Sequence, residues 1–382
     1  MIHLTRTLEL LDKLVAFPTV SHDSNLDLID WVQNLLSGAG FEVTRIWSPD
    51  RTKAGLFACI GPKVDGGVCL SAHTDVVPVE GQVWTRPPFT LTDEGDRVFG
   101  RGTTDMKGFL ASALALAERV GETPLSAPLS LSISYDEEIG CVGIQQMMPE
   151  LKKLIGKPRA IIVGEPTSMQ VATGHKGKTA LKVTCHGQAG HSALAPNFVN
   201  AIHVAADFVS EMRRLQERLM NGPQDNAFSI PYSTVHIGRI NGGQALNIVP
   251  ASTKLDMEFR HLVDTPAREI QREIEDAAKR VGQTFPSASP ILVERVNSYP
   301  SLSIDLSDSI VGWACEMAST TETTKVPFGT EAGVFAELGL NTVVIGPGDM
   351  ASDGHKADEG LSKTELMACD AMMENILGWL TD

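Results

Sequence analysis

Leu70-Ser71-Ala72-His73-Thr74-Asp75-Val76-Val77-Pro78 is an apolar strand that gives way to a His-x-Asp triplet. A short apolar run closed by polar residues reads as a buried strand of a parallel sheet. Period two places His73 and Asp75 on one face. The Asp75 carboxylate can then accept the second imidazole N–H and fix the tautomer, leaving the other ring nitrogen for a metal ion. A lone histidine after a strand also occurs as a structural residue, so the surroundings decide.

Similar runs recur at 56–60, 129–134, 160–163 and 342–345, while 4–16, 26–36 and 109–120 carry apolar residues at helical spacing. Gly38 and Gly40 suit a left-handed end to the second of these helices. Strands alternating with helices predict an α/β layer sandwich with a mostly parallel central sheet. Between about 177 and 287 the texture changes to strand 179–186, helix 200–220, strands 234–240 and 252–260, and helix 265–281, whose Ile270, Ile274 and Val281 share a face. This predicts an inserted α+β domain at 178–287 within a larger one made of 1–177 and 288–382.

The ends of the apolar runs carry the chemistry. Gly100-Arg101-Gly102-Thr103-Thr104-Asp105-Met106-Lys107-Gly108 is a glycine-rich loop leading into a helix, where Asp105 is either a ligand or the helix N-cap. The 129–134 run ends in Tyr135-Asp136-Glu137-Glu138. Adjacent residues of an extended chain face opposite ways, so Glu137 and Glu138 can serve a reacting water and a metal respectively; the alternative is a solvated acidic loop. Gly164-Glu165-Pro166 follows a fourth run, and Gly346-Pro347-Gly348 a fifth, with His355-Lys356-Ala357-Asp358-Glu359 downstream. Open α/β sheets assemble their sites at such strand ends. Mixed nitrogen and oxygen donors suit zinc, and two ions sharing a carboxylate would lower the pKa of a water between them.

Composition bounds the rest. A length of 382 residues favours two domains, and 42% hydrophobic with 21% charged residues is the profile of a folded enzyme. A formal charge of -15 opposes nucleic acid and anionic membranes as partners. Six scattered cysteines without a CxxC motif read as reduced core residues, and the amino terminus shows no leader pattern, so a cytoplasmic protein is expected.

With these residues together, the chain resembles the zinc peptidase and deacylase superfamily that includes acetylornithine deacetylases, succinyl-diaminopimelate desuccinylases, aminoacylases and carboxypeptidase G-type enzymes. The resemblance implies a zinc-peptidase-like catalytic domain with an inserted ferredoxin-like dimerisation and lid domain. It further implies two Zn2+ per subunit, with Co2+ able to substitute, and a homodimer acting on a small N-acyl amino acid. By the same resemblance His73 and His355 each ligate one zinc, Asp105 bridges them, and Glu138 and Glu165 complete the two sets. Glu137 is then the general base and Asp75 the partner of His73. In the insertion, Gly190-His191-Ser192 resembles the segment whose histidine stabilises the oxyanion across a dimer interface, and Asn247 and Arg260 match substrate contacts. Read alone, Arg260 suits a surface ion pair.

Gly329-Thr330-Glu331-Ala332-Gly333 resembles the substrate loop of acetylornithine deacetylases, which implies removal of acetate from N2-acetyl-L-ornithine in arginine biosynthesis. Glu331 also suits a helix-start carboxylate. The family proline is replaced by Ala357 in the last motif. That departure keeps a desuccinylase, another deacylase or a dipeptidase in view. From outside enzymology, the alternative is a catalytically silent metal- or ligand-binding relative.

Overall fold

The computed structural model describes residues 2–121 and 123–382. The chain divides into two compact units: a larger one holding the chain up to Gly174, then Ser303–Val326 and Thr330–Asp382, and a smaller one holding His175–Leu302 with Pro327–Gly329. No helix among the described residues is long and apolar enough to cross a membrane.

The larger unit is built on a sheet whose centre runs Leu129–Ser134, Val68–His73, Ala160–Val163, Thr342–Val344. These strands are parallel to their neighbours, as their uninterrupted apolar composition predicts. The flanks differ. Ala54–Ile60 is antiparallel to Leu129–Ser134, Glu42–Trp47 is antiparallel to Ala54–Ile60, and Val171–His175 is antiparallel to Thr342–Val344. Helix Gly108–Val120 is buried on almost every face, because helices Ile2–Val15 and Lys363–Thr381 pack against it. Leu70, Leu110, Leu114, Leu131 and Ile162 belong to the same core, each contributing about 1.5–3 kcal/mol by burial. Helix Leu26–Gly38 ends as expected with a left-handed glycine, Gly40 at φ 88°, whereas Gly38 lies within the last turn.

The smaller unit is a four-stranded antiparallel sheet in the order Thr234–Gly242, Ser252–His261, Gly177–His186, Leu292–Tyr299, with helices Ala201–Met220 and Ala267–Thr284 on it. That order is the ferredoxin-like βαββαβ arrangement. Asn200 caps the first helix, its Oδ1 accepting from Ile202 N at 2.9 Å. The expected return to the larger unit at 288 is too early. Leu292–Tyr299 pairs with Gly177–His186, so the chain leaves the smaller unit only after Leu302. Within the larger unit, the two ends of the excursion meet where Ile304 N–H donates to the Thr173 carbonyl at 2.8 Å.

Helix Val142–Leu154 follows the acidic loop, and its second residue, Gly143, lies against the strand end. A Cβ there would stand 1.7 Å from the Tyr135 carbonyl oxygen. Gly143→Ala therefore overpacks the base of the acidic loop and should destabilise the chain by about 1–3 kcal/mol. A thermal melt would show a lower Tm; an unchanged Tm would contradict this packing.

Candidate metal centre

Because the central strands are parallel, their carboxyl ends lie along one edge, and each hands over to a loop carrying a donor. His73 ends Val68–His73, and Glu137 and Glu138 follow Leu129–Ser134. Glu165 follows Ala160–Val163, and the turns after Thr342–Val344 lead to His355. An irregular turn, Thr103–Lys107, brings in Asp105 just ahead of helix Gly108–Val120. The helix starts after Lys107, so Asp105 does not take the N-cap role.

Asp105 sits between two imidazoles. Its Oδ1 is 3.0 Å from His73 Nε2 and its Oδ2 is 3.1 Å from His355 Nε2. The same ring nitrogen of each imidazole meets one further carboxylate: Glu165 Oε1 lies 3.6 Å from His73 Nε2, and Glu138 Oε2 lies 2.9 Å from His355 Nε2. The donor atoms of His73, Asp105 and Glu138, and those of His73, Glu137 and Glu165, fall within 4.8 Å of one another. His73 is buried whereas the His355 side chain is 48% exposed, so the cluster opens to solvent on the His355 side.

The loops are held by unobvious bonds. His73 Nδ1 is 2.9 Å from the Asp75 main-chain carbonyl and 3.5 Å from its carboxylate, so the backbone is the nearer orienter. The Asp75 carboxylate instead accepts from Ser21 Oγ at 2.7 Å and from the N–H groups of Glu137 and Glu138 at 3.0 and 3.3 Å. Glu137 and Glu138 lie at a tight turn, with Asp136 at φ 54° and the Gly140 and Cys141 N–H groups bonded to the Glu137 carbonyl. The thiol of Cys141 donates to Glu137 Oε1 at 3.1 Å. Glu359, quoted above without a role, accepts from Thr104 and Asp105 N–H at 2.9 and 3.1 Å.

The substrate-loop residues divide between the units. In the larger unit Thr330 Oγ1 accepts from Ala332 N at 3.0 Å. Glu331, expected to touch substrate, is 1% exposed, with Ser134 Oγ donating at 2.5 Å and Ser71 Oγ at 3.3 Å to its two oxygens. Both oxygens are thus engaged beneath the cluster. In the smaller unit Gly329 lies against Tyr299, where a Cβ would stand 2.0 Å from the ring. His191 and Asn247 are exposed and brought together, Ser192 N–H donating to the Asn247 carbonyl at 3.0 Å. Arg260 makes the ion pair that its strand-end position suggested, Nε donating to Glu258 Oε1 at 3.0 Å.

The electrostatics are those of a cluster short of positive charge. Burial and the neighbouring acids push the carboxyls of Glu137, Glu138 and Glu165 well above the usual range, and burial pushes Glu331 up to about 7. Hydrogen bonds to Asp105 and Glu138 raise His355 to about 10. Burial opposes protonation of His73, yet Asp105 and Asp75 hold it well above its ordinary value. Asp105 is drawn down, against its own burial, by both imidazoles. Glu165 Oε1 is buried with no hydrogen-bond partner among the described residues. A buried carboxylate oxygen left unpaired is costly, and a cation at the mixed nitrogen and oxygen donor set would satisfy it.

The model of peptidase family M20/M25/M40 matches residues 69–378. The acetylornithine deacetylase of Shigella sonnei (strain Ss046) is 33% identical over 372 residues, covering 93% of this chain and 92% of the relative. Among solved structures, an M20 family metallo-carboxypeptidase from Sulfolobus solfataricus superposes with a TM-score of 0.79 at 17% identity, over 97% of this chain and 98% of the other. A dinuclear metal binding peptidase of the M20 family from Bacillus subtilis superposes with a TM-score of 0.71 at 16% identity, over 99% of each chain. A family model matching residues 69–378 and a relative 33% identical over 93% of the chain show that the chain belongs to peptidase family M20/M25/M40 and is a metallohydrolase.

Proposed function

We propose that the chain hydrolyses the amide of an N-acyl amino acid, N2-acetyl-L-ornithine, to L-ornithine and acetate, a step of arginine biosynthesis in the cytoplasm. The observation that carries this reading is the Asp105 carboxylate set between His73 and His355 with Glu137 beside it. The likeness to the Shigella deacetylase supports the substrate. Two Zn2+ are the cations proposed, with Co2+ as a substitute: His73 and Glu165 would hold one, His355 and Glu138 the other, and Asp105 would contribute to both. Bound there, they would polarise the acyl carbonyl and lower the pKa of a water between them.

The chain's own residues do the rest. Glu137 takes a proton from the attacking water and delivers it to the leaving amine nitrogen. Cys141 occupies its Oε1, which leaves Oε2 for that proton. Burial keeps the Glu137 carboxylate basic enough to accept it. Asp75 holds His73 and the acidic loop in register. In this reading the smaller unit acts as a dimerisation and lid domain. His191 of a second copy stabilises the oxyanion, Asn247 contacts the substrate, and the Arg260 guanidinium takes the α-carboxylate in fork geometry. The loop Gly329, Thr330 and Glu331 shapes the side-chain pocket, with Glu331 acting from beneath. A dipeptidase reading draws on Ala357 in place of the family proline and on the names of two solved neighbours, a di-peptidase of Saccharomyces cerevisiae and a human carnosine dipeptidase.

Three outcomes are expected. Glu137→Gln keeps its metal and loses roughly 10²–10⁴-fold in kcat; near wild-type turnover, or loss of metal by elemental analysis, would count against the assignment. On metal-reconstituted protein, kcat/KM for N2-acetyl-L-ornithine exceeds that for succinyl-diaminopimelate or a dipeptide by at least about tenfold, a discrimination of about 1.4 kcal/mol. Third, His355 and His73 have raised pKa values in the metal-free protein, so below about 10 for His355 they hold protons that a cation must expel. Zinc affinity therefore rises with pH, and calorimetry in buffers of different ionisation enthalpy should register proton release. Loading at neutral pH without it would refute the linkage.

A further inference from the structure

The two sides of the cluster are joined by a run of side chains that the proposed hydrolysis does not use. Glu359 is 1% exposed, and while one carboxylate oxygen receives the Thr104 and Asp105 N–H groups, the other accepts from Arg101 Nη1 at 2.6 Å. Arg101 is equally buried, with its guanidinium 5.0 Å from the centre of the Trp84 ring. Its Nη2 donates to Gln82 Oε1 at 2.6 Å, and its Nη1 also reaches the Lys356 carbonyl at 3.3 Å. Gln82 completes the connection, its Nε2 donating to the His355 carbonyl at 2.8 Å. A planar, always charged guanidinium can hold two acceptors in fixed directions, which an ammonium cannot.

Local structure gives neither end a firm position. Asp105 at φ -121° and ψ 94° and Met106 at φ -132° and ψ 33° both depart from helical geometry inside the turn Thr103–Lys107. His355 takes φ 60°, a left-handed conformation uncommon for a residue with a side chain, after a series of turns. His73, by contrast, is the last residue of a strand paired within the parallel sheet, opposite Ser134.

We propose that Glu359, Arg101 and Gln82 are positioning residues that fix the Asp105 and His355 backbones relative to each other and thereby set the affinity of the cation position made by Asp105, Glu138 and His355. This rests on the two-cation reading above. Cutting the tie on its Arg101 and Gln82 side weakens that position selectively, because the sheet sets His73 and Glu165, and an oxygen at position 359 still accepts the Thr104 and Asp105 N–H groups that hold the shared Asp105.

The test is a calorimetric titration of metal-free protein with Zn2+, repeated with Co2+ under visible absorption to report the coordination of each equivalent. The variants are Glu359→Gln, which sets an amide against Arg101, and Gln82→Ala, which removes only the link to His355 and alters a partly exposed side chain. Wild type takes two equivalents. In both variants the first equivalent binds within about threefold of wild type, while the second weakens by about 10- to 100-fold and its Co2+ spectrum changes. Should Glu359→Gln not fold by circular dichroism, Gln82→Ala decides alone. An unaltered second equivalent, or equal weakening of both, overturns the proposal. A wild type that takes one equivalent overturns the two-cation reading and this inference with it.

Discussion

The structure depends on holding like charges together. Asp75, Asp105, Glu137, Glu138 and Glu165 share one end of a sheet, with Glu331 beneath them. Two unit charges 4 Å apart repel by about 4 kcal/mol at the effective dielectric of a protein surface, and more where water is excluded. The chain answers with two imidazoles that sit against carboxylates and with backbone N–H groups aimed at Asp75. These do not neutralise the cluster: burial, and then the neighbouring acids, push Glu137, Glu138 and Glu165 above the ordinary range, while the imidazoles draw Asp105 below it. Folding, proton uptake and cation uptake are therefore one linked equilibrium.

Convergence of loops from four strands also needs backbones that approach closely. A Cβ on Gly346 would stand 2.1 Å from the Gly164 carbonyl oxygen, and one on Gly164 would stand 2.0 Å from the Phe109 ring. Both glycines lie just past apolar strands and just before the loops that carry the cluster. With any side chain there, the strand carrying Glu165 and the one leading to His355 would be pushed apart, and helix Gly108–Val120 would be lifted from the strand ends. The positions of the clustered donor atoms are thus consequences of packing around helix Gly108–Val120 as much as of the loops themselves.

The larger sheet and the convergence at its edge are legible because His73 closes one uninterrupted apolar run and Glu137, Glu138 and Glu165 directly follow two others, a pattern with few solutions other than parallel strands. What escaped depended on tertiary partners. Ser71 and Ser134 look like polar impurities in apolar strands until Glu331 is found between them. Arg101 and Glu359 are far apart in sequence, and nothing local marks them as a buried pair. The residue pattern of Leu292–Tyr299 is mixed because it forms an edge strand with much of its surface exposed, so the insertion was expected to end too soon. The antiparallel flank at Ala54–Ile60 was hidden for the opposite reason: it is as buried as a central strand, and burial alone does not encode direction.

The hydrogen bond between Thr173 and Ile304 means that the smaller unit is spliced into the larger one at adjoining points. To the larger unit, the excursion is a closed loop, and the entropy of closing such a loop grows by only about 0.6 kcal/mol for each doubling of its length. The inserted module can therefore be lengthened, trimmed or exchanged over evolutionary time while the host sheet keeps its own bonding, so the two units can change almost separately.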